Sequence, residues 1–197
     1  MITSAEKGVE FSAAFAKSVV EAYRESYPAV KNLWDDCDDA AKNAVANPGT
    51  VFRVNKYVAY KMKGNTLLCQ LPSGRVIHYP FAEVQMRSAP WGGKKPTLTY
   101  MTYEKGRFVR VKTFGGSLVE NIVQAAARDL LTNAEEYTEA AGYDTRMTIH
   151  DELVLTTDRE DASVEEVDHC MIGHLPAYAA KWPIKAGTWE GPRFRKD

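Results

Sequence analysis

The triplet His150-Asp151-Glu152 sets an imidazole and two carboxylates in consecutive positions. Short apolar runs flank it, Met147, Thr148 and Ile149 before and Leu153, Val154 and Leu155 after, and their alternating, β-branched character predicts the two arms of a hairpin over 144–157. Adjacent carboxylates at a tight turn project toward a common charged ligand, a natural perch for a metal ion. Turns between paired strands usually carry Asn-Gly or Asp-Gly, so backbone preference alone does not account for this choice of residues.

The elements that must hold this turn follow from hydrophobic period. Phe11, Phe15, Val19 and Tyr23 recur every four residues and predict an amphipathic helix over 11–23, with Ser12 near its cap. A second helix is expected from Tyr27-Pro28, where proline suits the first turn, and carries Val30, Leu33, Trp34, Cys37, Ala41 and Val45 until Asn47-Pro48-Gly49 stops it. Its acids, Asp35, Asp36, Asp38 and Asp39, alternate with that stripe and read as a solvated face rather than a metal site. From 51 to 113 the period shortens. Runs at 51–62, 66–71, 76–79, 97–103 and 107–112, punctuated by Leu71-Pro72-Ser73-Gly74-Arg75 and Glu104-Lys105-Gly106, predict antiparallel hairpins. The stretch Ala89-Pro90-Trp91-Gly92-Gly93-Lys94-Lys95-Pro96 reads as an exposed basic loop. Gly115-Gly116 would let a backbone or a nucleic-acid strand approach closely, and a long helix is expected after it, over 117–140, with Leu118, Ile122, Ala126 and Leu130 on one side. Ser163 and Glu166 have capping-box spacing ahead of a helix through Val167, Met171 and Leu175. A last strand is expected at 183–186, before the basic residues Arg193, Arg195 and Lys196.

At 197 residues and 45% hydrophobic composition, the chain can build one well-buried core, or a core with a smaller lobe. No apolar stretch reaches the roughly 18 residues needed to span a bilayer, and no basic-then-apolar leader is visible, so a cytoplasmic protein with no membrane partner is expected. Three cysteines, Cys37, Cys69 and Cys170, are odd in number and widely spaced, which argues for ordinary thiols rather than a disulfide framework. The net charge of −1 conceals a strong segregation. Residues 53–112 hold twelve Lys or Arg against Glu83 and Glu104, a balance of +10, which leaves −11 for the remainder. Aromatics are interleaved there: Phe52, Tyr57, Tyr60, Tyr79, Phe81, Trp91, Tyr100, Tyr103 and Phe108. Strands need aromatics inside and charges outside in any case, but the segment as a whole has the electrostatic footprint of a nucleic-acid partner.

Several separate stretches, in order, resemble the C-terminal part of family A DNA polymerases, particularly the phage branch. His150-Asp151-Glu152 with its flanking strands looks like the last catalytic motif of that family. Phe114-Gly115-Gly116-Ser117-Leu118-Val119-Glu120-Asn121-Ile122-Val123-Gln124 through Asp129-Leu130-Leu131 is similar to the palm helix before it. Leu71-Pro72-Ser73-Gly74-Arg75 with His78-Tyr79-Pro80 looks like a phage-type hairpin, Tyr23-Arg24 and Tyr27-Pro28-Ala29-Val30 like the helix pair leaving the fingers, and Gly187-Thr188-Trp189-Glu190-Gly191 like the family's C-terminal end. The resemblance implies an α+β fold. It would comprise an antiparallel palm sheet with a carboxylate-bearing hairpin packed on helices, residues 51–197 with a basic hairpin segment at 51–113, and a helical fingers remnant at 1–50.

The resemblance also implies nucleotidyl transfer from dNTP onto primer-template DNA, in the host cell cytoplasm if the chain is phage-encoded. Two Mg²⁺ ions about 3.5–4 Å apart stabilise such a transfer. Asp151 would be a metal ligand, Glu152 would assist beside it, and His150 would lie against the primer end. Asn121 and Gln124 would touch the duplex, and Arg75, Lys94 and Lys95 would add to the DNA-binding surface. The family's other palm aspartate and its nucleotide-binding fingers helix precede the matched region and are not found here. The two-metal site is therefore expected to be completed by a separate N-terminal polymerase subunit, with the chain inactive alone, or else the chain is a remnant or excised fragment. Two rivals remain open. His150, His169, Cys170 and His174 could be gathered around zinc, although His169 and His174 are five apart and suit paired-ligand spacing poorly. A catalytically inert, palm-like nucleic-acid-binding module is the other.

Overall fold

A computed structural model describes residues 2–4, 9–88 and 92–194, with side chains from Ser12 onward except that of Ala13. Ala89, Pro90 and Trp91 of the expected basic loop, Arg195 and Lys196 of the basic end, and the side chain of Phe11 lie outside the described residues. Helices and antiparallel sheets alternate in an α+β arrangement. The backbone divides into two compact units, residues 1–69 with 78–119, and residues 70–77 with 120–197.

In the first unit, strands β1 (Ile2–Ser4) and β2 (Val9–Phe11) form a short hairpin that the sequence reading did not anticipate. Phe11 thus belongs to a strand, and helix α1 (Ala13–Ser26) starts after Ser12, whose hydroxyl accepts the Phe15 N–H at 3.1 Å. Phe15, Val19 and Tyr23 remain 52%, 52% and 44% exposed, so the apolar stripe that marks this helix in the sequence is largely uncovered by the described residues. Helix α2 (Pro28–Ala46) opens on its proline and buries Cys37, Ala40, Ala41 and Ala44, packing on β3 (Val51–Arg53) and β4 (Ala59–Lys63). The acids opposite are solvated or paired along the helix, Asp35 with Lys31 at 2.5 Å and Asp38 with Lys42.

The expected run at 51–62 is interrupted because the Asn55 side chain accepts the N–H groups of Tyr57 (2.8 Å) and Val58 (2.9 Å), folding the chain into a turn. Strands β5 (Thr66–Gln70) and β6 (Val76–Pro80) complete a four-stranded sheet of order β3-β4-β5-β6. Tyr60, Leu67, Cys69, Tyr79 and Leu98 are buried among the core residues, Tyr79 meeting Tyr100 edge-on at 5.0 Å. Burial pushes the Cys37 thiol up to about 11 and that of Cys69 to about 12, and the Tyr60 hydroxyl beside them is also raised, so all three stay protonated as packing groups.

A second sheet joins β7 (Glu83–Ser88), β8 (Lys94–Glu104) and β9 (Arg107–Lys112) in consecutive antiparallel order. Strand β7 was not expected. It is an exposed edge with mixed polar and apolar residues, which gives a weak strand signature in sequence. Helix α3 (Gly115–Ala140) begins in this unit, and a Cβ on Gly115 would lie 1.9 Å from the Trp34 carbonyl oxygen. The close approach foreseen at the two glycines is therefore made by the backbone of α2. For Gly116 the nearest obstacle is only the Phe114 ring.

In the second unit α3 ends on Gly142, at φ +88°, with Gly142 N–H bonded to the Glu139 carbonyl (3.0 Å) and Tyr143 N–H to Thr138 (3.1 Å). This is the Schellman closure, and glycine takes its left-handed position without strain. The chain then enters β10 (Asp144–Ile149) and returns through β11 (Glu152–Thr156). Arg159 binds the hairpin's base. Its guanidinium donates to the Ala141 carbonyl, to Asp161 at 3.1 Å and to Glu166 at 3.1 Å.

Helix α4 (Val164–Ile172) carries the foreseen Ser163 cap, the hydroxyl accepting Glu166 N–H at 3.1 Å. The reciprocal half of the box is relayed. Glu166 accepts the Tyr143 hydroxyl (2.6 Å), which in turn accepts Ser163 N–H (3.2 Å). No strand forms at 183–186. Pro183 has no N–H to donate, and the Ile184 N–H turns back to the Trp182 carbonyl at 2.8 Å.

Two tests follow from these contacts. Gly115→Ala should lower unfolding stability by about 3 kcal/mol or more, measured by urea denaturation, because the blocking atom is backbone. The Tyr143 hydroxyl, then Arg159, hold the Glu166 carboxyl below its ordinary value, so its contribution is present above the usual glutamate range and fades as pH falls through the depressed value. Glu166→Gln should therefore lower Tm at pH 7, with the gap to wild type closing below about pH 4.

Candidate active site

The hairpin predicted at 144–157 is present and doubles back where expected. Ile149 pairs with Glu152, leaving His150 and Asp151 as the two loop residues. His150 sits at φ +53° and Asp151 does not share the positive φ, the φ pattern of a II′ turn, whose first central position favours glycine. Histidine tolerates that region better than most side chains, at a cost on the order of 1 kcal/mol. The strained residue lifts Asp151 to the exposed apex, and exposed Glu152 follows as the first residue of β11. A bulge at Arg146, whose Nε donates to Thr156 at 2.7 Å and whose Nη2 donates to Asp144 at 3.0 Å, bends the ascending arm. No residue of either strand is buried: Ile149, Leu153, Val154 and Leu155 are half-buried and Met147 is 48% exposed.

The donor chemistry of the tip suits Mg²⁺ in kind, since carboxylate oxygens are the ligands that ion prefers. It is short in number. Among the described residues no three His, Cys, Asp or Glu side chains converge as a metal cage, so Asp151 and Glu152 are the carboxylates this tip offers. Three residues of the zinc rival, His169, Cys170 and His174, take packing roles instead, while His150 is exposed at the turn. The His174 ring stacks on Tyr137 at 4.3 Å and meets His169 edge-on at 5.2 Å, while Cys170 is buried.

The residues expected to contact DNA fall into different settings. Asn121 (half-buried) and Gln124 (exposed) lie three apart on α3 and share a face, with the Gln124 amide reaching Glu120 at 3.4 Å. Arg75 has a structural task that its sequence gave no sign of. Its Nε donates to Asp129 at 2.6 Å and its Nη2 to the Ala125 carbonyl at 2.9 Å, while Ser73 also donates to Asp129 at 2.6 Å, tying the Leu71-to-Arg75 turn to α3. Beside them opens a cleft of about 520 Å³ that includes Arg128, Asn133 and Tyr178. Lys94 and Lys95 are on β8 rather than in a loop, and consecutive strand residues point to opposite faces.

The turn with its two carboxylates thus follows the long helix α3 in the chain. The chain is similar to the DNA polymerase of Bacillus phage SP02, 34% identical over 182 residues that cover 91% of the chain and 27% of that polymerase. It therefore spans about a quarter of that relative's length. No family model and no solved structure matches it. Among the described residues, no helix is long and apolar enough to cross a membrane.

His150→Gly should leave unfolding stability nearly unchanged, relief of left-handed strain offsetting the entropy glycine adds to the unfolded chain, whereas His150→Val should lower it by about 1 kcal/mol or more in urea melts. Equal stability of the two variants would remove the strain argument.

Proposed function

We propose that this chain is the C-terminal part of a phage-type family A DNA polymerase, contributing Asp151 to nucleotidyl transfer from dNTP onto a DNA primer. The observation that carries the proposal is the His150-Asp151-Glu152 turn on a folded hairpin, within a chain similar over 91% of its length to part of a phage DNA polymerase. Residues 1–50 correspond in this reading to the end of the fingers and 51–197 to the palm.

Asp151, at the apex, would hold an ion by carboxylate oxygen. Glu152 supplies a second negative charge beside it, and His150 lies next to the primer terminus. Asn121 and Gln124 present amide donors and acceptors to the duplex from one face of α3. Mg²⁺, when bound, would activate the attacking hydroxyl and neutralise the leaving pyrophosphate.

Two features support completion by more polymerase sequence, on a separate N-terminal subunit. A two-stranded hairpin with no buried side chain is half a sheet, since pairs of strands are marginal in water without further strands or a covering layer. The apolar side of α1 is likewise left half exposed. The basic segment favours a second reading, a palm-like module that grips nucleic acid while its carboxylates stay idle.

Primer extension separates the two. The chain mixed with the product of the adjacent reading frame should give Mg²⁺-dependent synthesis that neither supports alone, and Asp151→Ala should reduce it about 10²-fold or more. An Asp151→Ala mixture at undiminished rate would overturn the site assignment.

A further inference from the structure

The sheet β7–β8–β9 has two chemically unlike faces. Cross-strand partners share a face, so register assigns them. Val84, Leu98, Tyr100, Val109 and Val111 lie on one, together with Met86, Lys94, Glu104 and Arg107, and there Leu98 is fully buried and Tyr100 meets Tyr79.

The other face carries Arg87 opposite Lys95, Gln85 opposite Thr97, Glu83 and Lys112 on either side of Thr99, Arg110 opposite Met101, and Tyr103 opposite Phe108. Glu83 is the one acid among those residues, against four cations. Its charge is already met by Arg110 at 2.8 Å and by the Gln85 amide. Arg110 also donates to Thr99 Oγ1 (3.1 Å) and to the Phe81 carbonyl (2.9 Å), and Arg87 donates to Gln85 Oε1 (2.6 Å). These bonds hold the long side chains along the sheet, and Thr97 and Thr99 at its centre are buried.

At the far end, the Lys105-Gly106 turn has positive φ at both residues (46° and 79°), the I′ geometry of a tight hairpin. It displays Tyr103 and Phe108, 67% and 61% exposed, as an edge-to-face pair 6.1 Å apart. From Lys95 to Tyr103 the strand covers about 26 Å, at ~3.3 Å per residue.

We propose that this polar face of β7–β8–β9 binds single-stranded nucleic acid, the phosphates running past Arg87, Lys95 and Lys112 and a base stacking on the Tyr103–Phe108 pair. Charge selects a polyanion. The exposed aromatic pair selects unpaired bases over a duplex, whose bases are already stacked. The length suits a short site of about 4 nucleotides, the low end for sheet-based single-strand binders. The inference rests on and deepens the second reading above, naming the face and the unpaired strand it takes, and it requires neither Asp151, nor metal, nor a partner chain.

The test is fluorescence anisotropy of a labelled 20-mer oligo(dT) with the full chain in EDTA. Lys95→Glu/Lys112→Glu should weaken binding at least about tenfold and make the dependence of log K on log salt shallower by about 1.4, two phosphates at ~0.7 each. Tyr103→Ala/Phe108→Ala should also weaken it about tenfold. Tyr103→Phe should bind like the parent. Circular dichroism checks folding, and Lys95→Gln and Lys112→Gln singly replace the double variant if it fails to fold. Absence of micromolar binding by the parent, parental affinity in both double variants, or equal competition by duplex of the same length would overturn the proposal. Failure here leaves the primer-extension result untouched, and failure there leaves this one untouched.

Discussion

A left-handed backbone at one histidine decides where the two carboxylates of the 150–152 turn are displayed. With Ile149 and Glu152 paired, two residues must reverse the chain, and the positive φ at His150 makes that reversal tight enough to put Asp151 at the apex. A wider loop would relieve the strain and leave the carboxylate without a fixed position. Strain at a sparsely populated conformation persists only where the surroundings over-determine it. The base of the hairpin carries the contacts that anchor it.

That base is a compact polar knot. The Gly142 closure of α3 sends the chain into β10 at a defined angle, and Arg159 joins the freed Ala141 carbonyl to the first turn of α4 through Glu166. Tyr143 relays the cap of α4 instead of the glutamate closing it directly, so one helix end, one helix start and one hairpin share the same few hydrogen bonds. Hydrogen bonds to charged groups of this sort are stronger than neutral ones, which suits a stretch whose strands bury no side chain of their own.

The first unit is organised by close approach of a different kind. The start of α3 rests against the Trp34 carbonyl because Gly115 has no side chain, and α2 buries small residues, Ala40, Ala41 and Ala44 with Cys37, on β3 and β4. Small side chains allow tight packing but leave little apolar area to bury. Tyr60, Tyr79 and Leu98 from the sheets make up much of the difference. Charge is sorted around this core, the acids of α2 facing water and Arg87, Lys95, Arg110 and Lys112 gathering on one side of their sheet, with Lys94 and Arg107 on the other.

Much was legible in residue order, because its signals are local. Ser12 and Ser163 announce helix starts through hydroxyls that satisfy free N–H groups, Pro28 opens α2, and the apolar runs around His150-Asp151-Glu152 alternate as strands do. Asn55, by contrast, split an apparently continuous strand through side-chain bonds to the backbone that period counting does not see. At 183–186 the Ile184 N–H turns back on the Trp182 carbonyl instead of joining a ladder. The long-range decisions belonged to the tertiary structure alone: Asp129 claiming Arg75 across 54 positions, Trp34 explaining Gly115, and strand register setting Lys94 and Lys95 on opposite faces while gathering Arg87, Lys112, Tyr103 and Phe108 on one. Sequence specifies which groups can bond and which face of an element is apolar. Only packing in three dimensions determines which distant group arrives to meet them.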